Sequence, residues 1–419
     1  MNVQTDRTLI RSGAKSGRYV LISFSAPAAL QAAARQPVNI AFVLDRSGSM
    51  GGGKIALAKN ALMQALRLLR PADRFAVVFY DHMVDLVVPS TPATAEAVEN
   101  AIRRVASIQA RGNTDLGGGW LRGCEQIAQH LDRSQIGKSL LLTDGLANQG
   151  IVDPAQLEQH ARELRSRGIA TSTLGVGDDF DEVLLQRMAD AGGGRSYYIE
   201  TAVQIADTLT SELGETLETV ARGVTLRVEA PAGVDVATLN AFESCRLDDL
   251  TTEIRVGDLA ARQAVSLVVR LKFPQGANGE TARAMLSLSD TGNVLADAAD
   301  CIWTYASHAD NDRQPRNVVV DREVAKLYAA MAREDALELN RAGSFDESRR
   351  RLKATADRIR RYAGDDPILN ELLDELAERD EMYGRGMIAS ALKSERYASY
   401  NLSRMRTAEG KAQRRPDAT

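Results

Sequence analysis

The sequence predicts an α/β fold in which a doubly wound, mostly parallel sheet is inserted in a β-sandwich and followed by a C-terminal α-helical region. Three observations support this prediction. Between residues 38 and 223, short apolar runs alternate with amphipathic helical stretches, the pattern of a parallel sheet covered by helices. Between residues 224 and 305, runs with a period of two replace that alternation. From Asp321 onward, the pattern is helical.

The predicted parallel strands are short apolar runs that end in small or acidic residues. In one predicted helix, Asp153 before Pro154 indicates an N-cap with proline at the first helical position. Residues 84–88 predict an antiparallel edge hairpin with the second strand. The predicted strands are Val38–Leu44, Phe75–Tyr80, Ser139–Thr143 and Ile169–Val176, and the predicted helices are Lys54–Leu69, Ala93–Ala106, Leu116–Leu131, Pro154–Arg167 and Asp181–Ala191.

The β-sandwich is predicted because proline and glycine residues separate alternating runs such as 224–229 and 284–289. The N-terminal run 19–24 is also strand-like but too short for a domain, so we expect it to pair with the later strands. The predicted organisation is residues 1–35 for N-terminal strands of the sandwich, 36–222 for the α/β domain, 223–308 for the sandwich, 318–408 for the helical region and 409–419 for a disordered tail.

In the helical region, Ser344 with Glu347 predicts a capping box. Residues 349–353 form a basic run, but apolar residues recur at helical spacing around it. We interpret this run as the solvated face of an amphipathic helix and not as a nucleic-acid patch.

Composition excludes several classes of function. A chain of 419 residues is longer than one typical core and predicts two or three domains. A net charge of -4 and an aromatic content of 5% argue against nucleic-acid binding. No apolar run approaches the roughly 20 residues that span a bilayer, and the N-terminus lacks a signal-peptide pattern. With three dispersed cysteines, these features predict a cytoplasmic protein.

The most informative segment joins the first parallel strand to the following helix. The strand ends in Asp45, and Ser47 and Ser49 follow at alternate positions. Thr114 stands in a loop ahead of a helix, and Asp144 follows another apolar strand. Neighbouring parallel strands place their carboxyl ends side by side, so we expect the two aspartates to face each other. Carboxylate and hydroxyl oxygens suit a hard cation such as Mg2+, which makes these five residues a predicted metal site.

The same loop also resembles a phosphate-binding loop, because Gly48–Lys54 fits the spacing G-x-x-x-x-G-K. However, Ile55 stands where such a loop needs Ser or Thr to bind Mg2+. A phosphate loop would also leave Thr114 unexplained. The metal-site interpretation is favoured because it uses all five residues. The run Gly117–Gly119 near Thr114 indicates either an open rim for a partner backbone or simple turn geometry.

The five residues match, in order and on the expected elements, the metal-ion-dependent adhesion site of the von Willebrand factor type A (VWA) family, which the chain resembles over about residues 36–222. The predicted insertion in a β-sandwich is similar to that of integrin β subunits and of bacterial members of this family. The resemblance implies that Ser47, Ser49 and Thr114 bind the ion directly or through water. It also implies that Asp45 and Asp144 act largely through water or hydrogen bonds.

The function implied by this resemblance is a metal-dependent protein–protein interaction module, an adhesion or adaptor domain of a bacterial protein and not an enzyme. Mg2+, or alternatively Mn2+ or Ca2+, would bind an acidic residue of the partner. The implied partners are an AAA-type ATPase, a protein kinase or phosphatase, or another copy of the same chain. Two alternatives stay open: a metal-dependent hydrolase, and a structural or self-assembly subunit stabilised by its metal.

Overall fold

The computed structural model describes residues 1–28, 35–132 and 134–414. The chain forms two compact units, one made of Ala29–Thr219 and the other of Met1–Ala28 together with Val220–Thr419.

Strands and helices are numbered in chain order. The strands are β1 (Asn2–Thr5), β2 (Leu9–Arg11), β3 (Ser16–Ser25), β4 (Val38–Asp45), β5 (Arg74–Tyr80), β6 (Val84–Pro92), β7 (Ile136–Thr143), β8 (Ile169–Val176), β9 (Gly193–Ile199), β10 (Thr219–Glu229), β11 (Asp235–Thr238), β12 (Glu243–Arg246), β13 (Thr251–Ala260), β14 (Ala264–Phe273), β15 (Thr281–Ser289) and β16 (Asp297–Ala306). The helices are α1 (Lys54–Leu66), α2 (Ala95–Ala106), α3 (Leu116–Ala128), α4 (Pro154–Ser166), α5 (Glu182–Ala191), α6 (Ile205–Leu217), α7 (His308–Arg313), α8 (Val318–Arg341), α9 (Phe345–Ala363), α10 (Pro367–Tyr383) and α11 (Ala389–Ser403).

The unit Ala29–Thr219 is built on a six-stranded sheet with the order β6-β5-β4-β7-β8-β9. Strand β4 lies between β5 and β7 and is parallel to both. All eight of its residues are buried, as expected for a central parallel strand with a largely apolar sequence. Strand β6 pairs with β5 in antiparallel fashion, so the predicted edge hairpin is confirmed.

Helices cover both faces of this sheet. On one face, Leu62 of α1 and Leu213 of α6 join Phe42 of β4 in one apolar core. On the other face, α3 packs so closely that a Cβ atom at Gly123 would collide with Val43 of β4. Adjacent strand residues point to opposite faces, as these two contacts require. The doubly wound, mostly parallel sheet predicted from the sequence is confirmed.

The other unit contains two sheets, with the orders β1-β3-β14-β11 and β12-β13-β10-β15-β16-β2. Strand β3 pairs with β14 along its whole length, and β2 pairs with β16. The two sheets share an apolar core that includes Ile22 and Leu267 of the first sheet and Leu226 and Trp303 of the second. Residues 29–34 of the predicted N-terminal region 1–35 lie outside the described residues.

The C-terminal helical region is confirmed, with α8, α9 and α10 packed around a common apolar core. Helix α8 ends before Gly343, which has a positive φ of 77° and directs the chain into α9. The predicted capping box is wrong. Ser344 occupies the N-cap position, but its side chain caps no backbone N–H; its carbonyl oxygen accepts from Glu347 and Ser348 instead.

The disorder predicted for residues 409–419 does not begin at 409. The backbone N–H of Ala264 donates to the carbonyl of Gln413 at 2.8 Å, and Arg414 pairs with Gln263. These backbone contacts fix residues up to 414, and residues 415–419 lie outside the described part of the chain. Among the residues that the structure describes, no helix combines the length and the apolar character needed to cross a membrane.

Candidate metal centre

The carboxyl ends of β4 and β7 bring two aspartates to the same edge of the sheet. Asp45 is the last residue of β4, and Asp144 directly follows β7. The two strands are in register, with Leu44 opposite Leu142. Both aspartates are fully buried. The expectation that these carboxylates lie at one sheet edge therefore holds.

A chain of hydrogen bonds connects the two carboxylates through the serines. The backbone N–H of Ser47 donates to Asp45 Oδ1 at 2.7 Å. The Ser47 and Ser49 hydroxyls lie 3.0 Å apart, and Ser49 Oγ donates to Asp144 Oδ1 at 2.6 Å. Four of the five predicted site residues thus form one continuous polar array.

Thr114, in the loop before α3, lies beside this array. Gly145 follows Asp144 and has no side chain, but the position that its Cβ atom would take lies 3.6 Å from both Ser49 Oγ and Thr114 Oγ1. These two hydroxyls are therefore close to the same point beside Asp144. The backbone N–H of Thr114 donates to Asn148 Oδ1 at 3.0 Å, which ties its loop to the loop after β7. The structure brings all five predicted residues together.

The site carries negative charge that the protein only partly balances. Burial raises the pKa of Asp45 to about 6, although hydrogen bonds from Ser47 and Thr143 oppose this and the charge of Asp144 adds to it. Lys54 Nζ donates to Asp144 Oδ2 at 2.6 Å. Sequence reasoning missed this role of Lys54. The signal was present, because Lys54 begins α1 immediately after the site loop.

A second charged cluster holds the loops that carry the site. Asp81 Oδ2 accepts from Arg46 Nε at 2.9 Å and from Arg111 Nε at 2.7 Å. Burial alone would raise the pKa of Asp81, but hydrogen bonding to Arg111 and the charge of Arg46 lower it. The loops also join through the backbone, since Gly48 donates to Gly112 at 3.0 Å. These partners come from separate segments, so the sequence offered no spacing that could reveal them.

The turn interpretation of the glycine run near Thr114 does not describe the structure, while the open-rim interpretation stays a prediction. Gly117, Gly118 and Gly119 lie inside α3, and none of them has a positive φ. A Cβ atom at Gly119 would collide with the Tyr80 ring. The glycine here allows α3 to approach β5 closely, which sets the position of the helix that follows Thr114.

The donor set is suitable for a hard cation. Two carboxylates and three hydroxyls converge, and Mg2+ and Ca2+ prefer such oxygen ligands. Within the described ranges, no group of three or more His, Cys, Asp or Glu residues has a metal-binding arrangement, so any metal here would depend on hydroxyl as well as carboxylate oxygens. The residues present therefore fit an oxygen-ligated divalent ion.

Comparison with known proteins gives matches that centre on this domain. Residues 39–212 match the family model of the von Willebrand factor type A domain. The YfbK protein of Escherichia coli K12 is 31% identical over 250 residues, which is 58% of this chain and 42% of YfbK. Human inter-alpha-trypsin inhibitor heavy chain H4 is 32% identical over 181 residues, 41% of this chain and 20% of that protein. The chain thus spans less than half the length of these relatives.

A solved structure described as von Willebrand factor type A from Catenulispora acidiphila has a similar fold over most of its length. The TM-score is 0.70 at 20% identity, with 95% of this chain and 89% of that chain covered. At this identity the likeness shows the fold alone. The family model and the structural similarity together support a von Willebrand factor type A domain at residues 39–212.

Proposed function

We propose that this protein is a metal-dependent protein-interaction module that binds an acidic residue of a partner through a divalent cation. The observation that supports this most directly is the convergence of Asp45, Ser47, Ser49, Thr114 and Asp144 at one sheet edge. Domains of the VWA family are commonly protein-interaction modules. None of the relatives named above has the name of an enzyme, which favours binding over catalysis.

In this proposal, the hydroxyls of Ser47, Ser49 and Thr114 hold Mg2+, or alternatively Mn2+ or Ca2+. Asp45 and Asp144 orient these hydroxyls and supply the negative charge. The bound ion supplies an open coordination position that favours a carboxylate, because neutral hydroxyl ligands leave its charge poorly balanced. One such bond sets the register of a complex, while stable affinity needs roughly 1,200 Å2 or more of total buried surface around it.

The partner classes proposed are an AAA-type ATPase, a protein kinase or phosphatase, or a second copy of the chain, each supplying an exposed acidic side chain. We further propose a bacterial, cytoplasmic adaptor. The free Cys124, Cys245 and Cys301 are compatible with a reducing compartment.

The test is a quantitative pull-down from cell extract with the wild-type protein in Mg2+ and in EDTA. We expect EDTA to release a defined set of partners while circular dichroism shows an intact fold. The Asp144→Ala variant should lose the same set in Mg2+. Asp153→Asn is the matched control, because Asp153 follows in the same loop and Asn can still cap α4.

Identical partner sets for wild type and Asp144→Ala would contradict the proposal. Unfolding in EDTA would instead indicate a structural metal. Turnover of a substrate that is lost in Asp144→Ala would support the hydrolase alternative.

A further inference from the structure

A groove runs between α9 and α10, in the helical region and separate from the metal site. Its volume is about 570 Å3, which lies in the range of sites that bind small molecules. The floor is apolar and includes Leu352, Leu373 and Leu376, all of which are buried in the packing of these helices. Ala377 on α10 also lines the groove and is exposed.

The two walls of the groove differ in charge. Helix α9 contains seven Lys or Arg residues and three Asp or Glu residues, and Arg350, Lys353 and Arg360 line the groove. From α10, Asp380 is the charged residue in the lining, and it accepts a hydrogen bond from Arg349 at 2.9 Å. The α9 wall, which also includes Asp346, is therefore predominantly basic, while the α10 wall is apolar with a carboxylate that is already paired.

Three of the four basic residues that line the groove form exposed ion pairs, Arg349 with Asp380, Arg350 with Glu347 and Arg360 with Asp357, and surface pairs of this kind contribute little. Lys353 is exposed and forms no ion pair with the residues that the structure describes. Arg350 lies 3.8 Å from Glu347 on its own helix. Packing of α9 uses its apolar face, so neither Lys353 nor Arg350 is needed to hold the helix in place.

We propose that this groove docks an amphipathic helix of a partner protein whose apolar face enters the groove and whose acidic edge lies along α9. Helix-in-groove binding of this kind uses apolar anchors at helical spacing. Because the basic residues of the groove lie along α9 only, they favour an acidic partner helix and orient it with its acidic edge toward α9. A nucleic acid fits poorly, because the opposite wall is apolar and carries Asp380. This surface adds a second interaction site that does not depend on the metal.

The test uses three fluorescein-labelled helical peptides with the same leucine stripe and with glutamate, glutamine or lysine along one flank. Fluorescence anisotropy measures their binding to the full chain in EDTA, which removes any contribution of the metal site. We expect the glutamate peptide to bind about tenfold more tightly than the glutamine peptide, and the lysine peptide more weakly still. Raising the salt concentration should reduce the difference between the peptides.

Two variants assign the binding to the groove. Arg350→Glu with Lys353→Glu should weaken the glutamate peptide by about tenfold or more and favour the lysine peptide. Ala377→Gln, which fills the groove from an exposed helix position, should weaken all three peptides. Arg361→Glu is the matched control, because Arg361 is exposed on α9 but does not line the groove.

Circular dichroism should show that each variant is folded. The proposal is overturned if the glutamate and glutamine peptides bind equally, or if Arg361→Glu has the same effect as the groove variants. Binding weaker than about 1 mM for all three peptides would also overturn it.

Discussion

Two buried acidic clusters in the α/β unit differ in how their negative charge is balanced. In the first cluster, Glu212 of α6 accepts hydrogen bonds from Ser172 Oγ at 2.7 Å and Tyr197 Oη at 2.5 Å. Glu212 also forms ion pairs with Lys138 and Arg195. Burial alone would raise the pKa of Glu212, but Lys138 and Arg195 hold it well below the usual range. Lys138 and Arg195, which belong to the same unit, neutralise this cluster, and we call it the closed cluster.

The candidate metal centre is the opposite case. Asp45 and Asp144 are equally buried, yet Lys54 pairs with Asp144 and no Lys or Arg among the described residues forms an ion pair with Asp45. Burial therefore raises the pKa of Asp45, whereas the charges of Lys138 and Arg195 overcome the same effect of burial and lower the pKa of Glu212. The comparison teaches that two equally buried acidic clusters can differ in internal neutralisation, and the incompletely neutralised one is the better candidate for a cation site.

Breaking the closed cluster should have the largest effect. Glu212→Gln removes the carboxylate that Lys138 and Arg195 share, although Arg195 keeps its ion pair with Glu215, and we expect a loss of about 3–5 kcal/mol in the free energy of unfolding. Urea unfolding followed by the fluorescence of Trp120, in a Trp303→Phe background, reports this unit specifically. Exposed Glu218→Gln is the control and should stay within about 0.5 kcal/mol. A loss below about 1 kcal/mol would show that the cluster contributes little.

The contrast between the clusters also explains what the sequence could predict. Asp45, Ser47 and Ser49 are neighbours in the chain, and strand order alone brings Asp144 beside them. Those residues could be predicted because local spacing and the geometry of a parallel sheet determine their positions. The alternation of strands and helices predicted the sheet for the same reason.

The closed cluster could not be predicted. Its residues come from four separate elements, and a polar or charged residue taken alone is normally expected at the surface. They are Lys138 of β7, Ser172 of β8, Arg195 of β9 and Glu212 of α6. Their burial depends on the packing of α6 against the sheet, which no local pattern specifies. The contact between Lys54 and Asp144 is different, because the position of Lys54 directly after the site loop was a signal that the sequence did contain.

The pH dependence of stability should separate the two clusters by sign. The folded-state pKa of Asp45, about 6, exceeds its ordinary value of 3.8, so the folded protein binds more protons within that window. In EDTA, this carboxyl therefore contributes stability that is present below pH 3.8 and is lost as the pH rises through 6. The expected loss is about 3 kcal/mol. Urea unfolding at a series of pH values measures it.

Glu212 acts in the opposite direction, since its lowered pKa gives stability that is present above its ordinary value of 4.5 and is lost on acidification. Asp45→Asn should remove the decline between pH 4.5 and 6 and keep the acid loss, whereas Glu212→Gln should do the reverse. An unchanged decline in Asp45→Asn would assign it to another group.

Addition of Mg2+ should stabilise the protein through the incompletely neutralised cluster of Asp45 and Asp144, the open cluster. The closed cluster around Glu212 should not contribute to this stabilisation. At 100 times its dissociation constant, a ligand that binds only the folded state raises the free energy of unfolding by about 2.7 kcal/mol. We expect this increase in the wild type and in Glu212→Gln, measured by Trp120 fluorescence as above. Asp144→Ala should show no increase. Equal stabilisation of Asp144→Ala would place the ion elsewhere.

The smallest expected effect concerns Lys54, whose ammonium group already balances one carboxylate of the open cluster. Because a positive charge beside the site repels a divalent cation, Lys54→Met should tighten Mg2+ binding by about tenfold, or ~1.4 kcal/mol. Isothermal titration calorimetry measures the change. Lys59→Met is the matched control, since Lys59 lies on the same helix but donates to the carbonyls of Ala106 and Ile108. Unchanged or weaker binding in Lys54→Met would mean that Lys54 orients Asp144 for the metal and does not compete with it.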